Sequence, residues 1–194
     1  MSPFARAYRP VFALALLVVA AAVAGCVPSL NAIYTDKDIA FDEALVGTWM
    51  PQDQNESWVF TKRNDNVYRL VYTDKEGKYG VFDATLVKLG DARFLDLTPV
   101  EEPELQQNAL WKWHLTPTHT WLLVENISSS LQLRAMNPNW AKEYLQNHPH
   151  ELEHVIQHDR VIITAETEAI QKFATMHINT QQAYGDVYSL YKEE

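Results

Sequence analysis

Ser57-Trp58-Val59-Phe60-Thr61-Lys62, Asn64-Asp65-Asn66 and Tyr68-Arg69-Leu70-Val71-Tyr72-Thr73 are the residues on which the fold turns. Trp58 and Phe60 fall on one face of an extended chain, Ser57 and Thr61 on the other. Tyr68, Leu70 and Tyr72 alternate in the same way with Arg69 and Thr73. A period of two in aromatic and β-branched residues is the mark of a half-buried strand. Asn-Asp-Asn between the two runs supplies side chains that hydrogen-bond their own backbone in a turn. The reading is an antiparallel hairpin with one apolar face.

The pattern continues in both directions. Leu45 to Met50 is a short strand before the hairpin, and Asp74 to Lys78, with Gly77, is a turn after it. Phe82, Ala84 and Leu86 share a face of the next strand, which Gly90-Asp91 ends; Phe94 to Leu97 follows. Pro99 and Pro103 mark a surface loop. Trp111, Trp113 and Leu115 then oppose Lys112 and His114. After Pro117 come Trp121 to Glu125 and Leu131 to Ala135, either side of Ser128-Ser129-Ser130. Connections this short favour hairpin neighbours in up-and-down order. About eight such strands hide their edges by closing into a barrel.

Helical signals come only in the C-terminal third. Asn137-Pro138 is a cap with proline at the first helical position, ahead of Trp140, Tyr144 and Leu145. Val161 to Thr164 is a short strand. Thr164 is expected to cap a second helix with Glu166 and Glu168 in its first turn and Ile170, Phe173, Ala174 and His177 as its inward stripe. Val187 to Tyr191 reads as a strand returning to the sheet. The fold class is mainly β (β+α): an antiparallel, up-and-down, barrel-like domain with two helices.

The amino-terminal region reads differently. Arg6 and Arg9 precede a run from Val11 to Ala22 in which every residue is apolar, and no acidic residue occurs before Asp36. That run is shorter than the roughly 20 residues of a membrane-spanning helix and suits the core of an export signal. Val23-Ala24-Gly25-Cys26 resembles the bacterial lipobox. The resemblance implies cleavage before Cys26, lipid such as palmitate on the new terminus, and a membrane as first partner. Cys26 is the one cysteine of the chain, and a lone thiol in an oxidising compartment is otherwise a liability. Val27 stands where an aspartate often marks inner-membrane retention, so the expected address is the outer membrane, facing the periplasm. The organisation is then a signal peptide over residues 1–25, a lipidated tether over 26–42 and a single domain over 43–194.

Without the signal, Lys+Arg falls from 16 to 14 against 25 acids, and the net charge moves from -9 to -11. Nucleic acid and anionic lipid both call for a basic face, so neither is expected as a partner recognised by charge. The 6 glycines assemble no phosphate-binding loop, and no cofactor is expected. The acidic loop Glu101-Glu102-Pro103-Glu104 reads as solvated surface.

Two resemblances add to this reading. Gly47-Thr48-Trp49, opening the first strand of a meander, looks like the Gly-x-Trp signature of lipocalins, which implies a cup-shaped barrel for a small apolar ligand. Two helices and a return strand follow the meander here, where that family has one helix. Tyr34-Thr35-Asp36-Lys37-Asp38, the opening from Leu45 to Trp49, Lys88-Leu89-Gly90 with Phe94-Leu95-Asp96-Leu97, and Thr164 to Phe173 together resemble a group of uncharacterised bacterial lipoproteins.

Four sets of residues are candidate sites. Trp49, Trp58, Phe60, Tyr68, Tyr72, Phe82, Trp111, Trp113 and Trp121 either line a ligand cavity or fill the barrel as its core. His150-Glu151-Leu152-Glu153-His154 matches H-E-x-x-H, the helical zinc pattern of metal-dependent hydrolases. Pro149 before it, Glu153 inside it and the strand-like residues after it argue against that context. His148, His150, His154 and His158 remain a candidate surface metal cluster. His114 and His119, flanking Pro117, are a candidate acid/base pair with no nucleophile at a defined spacing. Three functions are in play: a lipid-anchored carrier of an apolar ligand, an interaction lipoprotein of the envelope with a filled barrel, and, remotely, a zinc hydrolase.

Overall fold

A computed structural model describes residues 26–52, 54–100 and 115–193. Its centre is a closed antiparallel barrel of eight strands with two helices packed outside. Eleven strands occur among the described residues: β1 (Ile39–Ala40), β2 (Gly47–Met50), β3 (Ser57–Lys62), β4 (Tyr68–Thr73), β5 (Tyr79–Leu89), β6 (Ala92–Pro99), β7 (Thr120–Ile127), β8 (Ser130–Ala135), β9 (His154–Gln157), β10 (Arg160–Ile163) and β11 (Tyr188–Lys192). Helix α1 is Pro138–Asn147 and α2 is Thr167–Met176. The ring runs β2-β3-β4-β5-β6-β7-β8-β11 and closes where Tyr191 of β11 pairs with Met50 of β2. The hairpin from which the sequence was read forms in register, Trp58 opposite Tyr72 and Phe60 opposite Leu70.

The eighth strand differs from expectation. The run expected over Trp111 to Leu115 lies outside the described residues except for Leu115, which is not in a strand. The place is taken by β11, which returns after both helices and inserts between β8 and β2. A return strand so distant in sequence closes the ring because both neighbours still offer unpaired backbone groups.

One end of the barrel is plugged. Residues 41–46, with a 3-10 turn at Glu43–Leu45, pack Phe41, Ala44, Leu45 and Val46 under the interior core. Phe41 stacks on Tyr68 with centroids 4.7 Å apart, and Trp49 Nε1 donates to the Leu45 carbonyl at 2.8 Å. Lys192 crosses this end, donating to the Ala44 carbonyl and lying over the Trp49 ring. Gly47 has φ +133°, and a Cβ there would come within 2.6 Å of Lys192 Cε; the glycine permits both the turn and the close approach.

Strands β5 to β7 are buried on both faces, and β8 on its inner face. Leu86, Leu95, Leu122 and Leu133 point into the barrel, while Val87, Phe94, Trp121 and Leu123 point out beneath α1, α2 and the amino-terminal segment. Trp121, expected inside with the other aromatics, belongs to this outer layer. Its neighbours in sequence are apolar as well, so alternation there carried no sign of which face was inward.

The stretch expected to be a free tether is packed. Val27, Ser29 and Ile33 are buried, and β1 pairs with β5 through Ile39–Val87 and Ala40–Leu86. Ser29 exchanges both backbone hydrogen bonds with His119, and the Ile163 amide donates to Pro28. The backbone groups of a short polar-looking segment are thus satisfied on the protein rather than by water.

The second helix also begins later than expected. Thr164 and Ala165 donate their amides to the Glu153 carbonyl, Glu166 occupies the cap position, and the helix starts at Thr167. Asn137 caps α1 as expected, its side chain accepting from the amides of Asn139 and Trp140.

Candidate functional site

Much of the barrel interior is closely packed, while Trp58, Leu97, Leu122, Val124 and Ile127 keep 5–9% of their surface. Trp49, Phe60, Tyr68, Leu70, Leu95, Leu131 and Leu190 each have 0% accessible surface. A void large enough for water beside any of them leaves measurable surface, so none lies against these side chains. Trp49, Phe60 and Tyr68, three of the candidate lining residues, are therefore core. Phe60 meets Tyr68 edge-on and Trp58 in a stacked arrangement, with centroids 6.4 Å apart in both cases, as packed aromatic pairs do.

Three other candidates gather at the unplugged end. Trp58 sits opposite Tyr72 at 5.2 Å, and Phe82 is half-buried on the neighbouring strand. The group at this mouth that sequence reasoning missed is Glu56. It is buried, and Oε1 accepts from Tyr188 Oη at 2.5 Å and from Trp58 Nε1 at 3.2 Å. Burial, then the Glu56 charge, pushes Tyr72 up to about 12, and burial, then the hydrogen bond to Glu56, drives Tyr188 upward as well. Both phenols thus stay protonated, and Tyr188 donates to the carboxylate. Trp111 and Trp113 lie outside the described residues, as does His114.

The outer layer holds a second polar set. Asp96 (1% exposed) accepts from the Ile33 amide through Oδ2 at 3.1 Å, and its Oδ1 lies 2.7 Å from His119 Nδ1. Thr98 Oγ1 is 2.9 Å from the same ring nitrogen. Of the two expected acid/base histidines, His119 therefore has a carboxylate partner, 23 residues away in sequence. Ser29 is close in the chain pairing, but its hydroxyl donates to the Asn31 carbonyl at 2.8 Å and makes no bond to His119. An Asp–His pair without an attacking hydroxyl orients and fastens; it does not make a hydrolytic triad. Here it fastens the amino-terminal segment to β6 and β7.

A third set lies between the helices. His177 (5% exposed) is ringed by Trp140, Tyr144 and Phe173, with centroids 5.0, 4.8 and 4.7 Å from its own. Nδ1 is 3.1 Å from Thr180 Oγ1, while Nε2 is buried without a hydrogen-bond partner. Burial holds His177 below its ordinary value, against an opposing pull from Glu151. Beside this cluster an open groove of about 590 Å³ is lined by His148, Glu151, Lys172, Phe173 and Met176 among others.

The H-E-x-x-H residues do not form a helix. His148 ends α1 and stacks on Tyr144 at 4.3 Å; His150 and Glu151 lie in the turn that follows; His154 opens β9, with Nδ1 2.7 Å from the Leu152 carbonyl. His158 sits in the β9–β10 turn at φ +47°. Placing His150 and His154 on one helical face required a helix that Pro149 and the β-branched residues beyond it do not support. Among the described residues no three His, Cys, Asp or Glu side chains come together as a metal site, so His150, His154 and His158 are not brought into a ligand set.

Cys26 is half-buried at the start of the described chain, and burial pushes its thiol up. No helix among the described residues is long and apolar enough to cross a membrane. No family model, curated protein or solved structure matches this chain.

Proposed function

We propose that this chain is a lipoprotein of the bacterial cell envelope, held to a membrane by acyl chains on Cys26, and that its barrel is a filled scaffold for interaction with another envelope component. The observation that carries the second half is the interior itself, where seven large or branched side chains have no accessible surface. A carrier of the lipocalin kind shares the eight-stranded architecture, but its ligand occupies space that Trp49, Phe60 and Tyr68 fill here. The recognition surface is then on the outside, and the groove beside Tyr144, Phe173 and His177 combines aromatic area with His148, Glu151 and Lys172 as polar groups.

The first half rests on the lipobox-like Val23-Ala24-Gly25-Cys26 and the apolar run before it. Several acyl chains anchor firmly because each buried methylene contributes about 0.8 kcal/mol. Val27 favours the periplasmic face of the outer membrane. Cells grown with radioactive palmitate test this directly. Label in the mature protein, absent from Cys26→Ala, is the expected result; an unlabelled protein, or label that survives the substitution, overturns the anchor.

A further inference from the structure

We propose that the domain lies flat on the bilayer through an apolar sheet face beside Cys26, formed by Pro28, Leu30, Val155 and Ile162. This rests on the lipid anchor proposed above. The face follows from backbone pairing. Ser29 bridges His119 on one side and Ile163 on the other, and Ile163 pairs with His154, so four extended segments lie side by side. Side chains alternate across such a sheet. Ser29 and Ile163 point inward and have no accessible surface. Their neighbours Pro28, Leu30 and Ile162, with Val155 opposite Ile162, therefore point outward.

The exposure agrees with this. Leu30 is 44% and Val155 50% exposed, and Pro28 and Ile162 beside them are half-buried. Among the described residues of β9 and β10 and the one before β9, the charges on this side are Glu153, beyond Val155, and Arg160, beyond Ile162, both at the ends of the face.

What covers the face is indicated by where the anchor enters. Between Cys26 and the first fixed backbone there is no spacer: Val27 is buried, and the Pro28 carbonyl already accepts from Ile163. Four residues of extended chain reach at most about 14 Å, so Leu30 stays within that distance of the lipidated sulfur's own backbone. A domain held this close presents its adjoining face to the headgroup and upper acyl region. Apolar side chains there gain burial, whereas a domain on a long tether does not orient.

The test uses the lipidated full-length protein purified from membranes and reconstituted into vesicles of phosphatidylethanolamine and phosphatidylglycerol. Single cysteines placed as Leu30→Cys, Val155→Cys and Tyr79→Cys carry an environment-sensitive fluorophore. Tyr79 is also exposed, but lies six residues along β5 from Thr85, the register partner of Asp96, a distance of about 20 Å at 3.3 Å per residue.

Expected are a several-fold rise and blue shift in emission at positions 30 and 155, quenched by brominated lipid, with no change at 79. Palmitate-labelled, vesicle-bound protein whose probes at 30 and 155 remain in water overturns the resting face while leaving the anchor intact. Shielding of those two probes in lipid-free solution, rising with protein concentration, also overturns it and assigns the face to a second copy of the chain. Protein that carries no lipid fails at the anchor instead.

Discussion

The two halves of the barrel wall are built on different rules. Strands β2, β3, β4 and β11 have one face in the core and one turned outward, as in β3, where Trp58 and Phe60 are buried and Ser57 and Val59 beside them are half-buried. Strands β5, β6 and β7 carry four consecutive buried residues each, because α1, α2 and residues 27–40 cover their outer face. The open half contributes packing, with Glu56 as its buried charge at the mouth. The covered half holds Asp96, His119 and His177 in the layer outside the barrel. Specialised chemistry has gathered where a second layer shields polar groups from water, while the interior stays apolar.

The largest effect that can test this contrast is in the shared interior. Phe60→Ala removes a ring with no accessible surface and should destabilise by about 3–5 kcal/mol, read from denaturant unfolding. A loss below about 1 kcal/mol means the interior relaxes easily and is loosely packed. Next comes the fastening of the covered half. Asp96→Ala leaves the buried Ile33 amide without its acceptor and His119 without its carboxylate, a cost of about 1–3 kcal/mol. Limited proteolysis should then cut within residues 30–38 before the barrel opens. Cutting at the wild-type rate contradicts the role given to Asp96.

A smaller effect is one of pH. The folded protein holds His177 below 6.5, its ordinary value, so on acidification the unfolded chain takes up the proton first. Stability from the neutral ring is present above about pH 6.5 and is lost as pH falls through the lower folded value. His177→Leu should flatten that part of the stability–pH curve; an unchanged slope places the titration elsewhere. Smallest is the solvent face of the open half. Lys62 pairs with Asp65 at 2.9 Å in the open, and Lys62→Ala should leave the unfolding midpoint where it was, since such pairs are screened.

The same contrast explains what was legible in the sequence. One-sided strands announce themselves by alternation, so the hairpin of β3 and β4 was read correctly to the residue, and Asn137-Pro138 marked the start of α1. Doubly buried strands read as continuous apolar runs such as Trp121-Leu122-Leu123-Val124, which state burial without stating direction. Trp121 was accordingly placed inside. The pairings that assemble the outer layer join residues far apart: Ile33 with Asp96, Ser29 with Ile163, Asp96 with His119. No local pattern encodes a partner at that separation, so residues 26–42 looked like a tether. Glu56 was missed for the same reason, its partner Tyr188 being 132 residues away. H-E-x-x-H is the opposite case, a local pattern whose meaning depends on a helix, and Pro149 with the strand-like residues after it already argued against that helix.

The filled interior is tested most directly by following tryptophan emission while the purified protein is titrated with a long-chain fatty acid. A barrel packed by Trp49, Phe60 and Tyr68 gives no saturable change. A one-to-one saturable change that disappears in Trp58→Ala contradicts it and restores the cup.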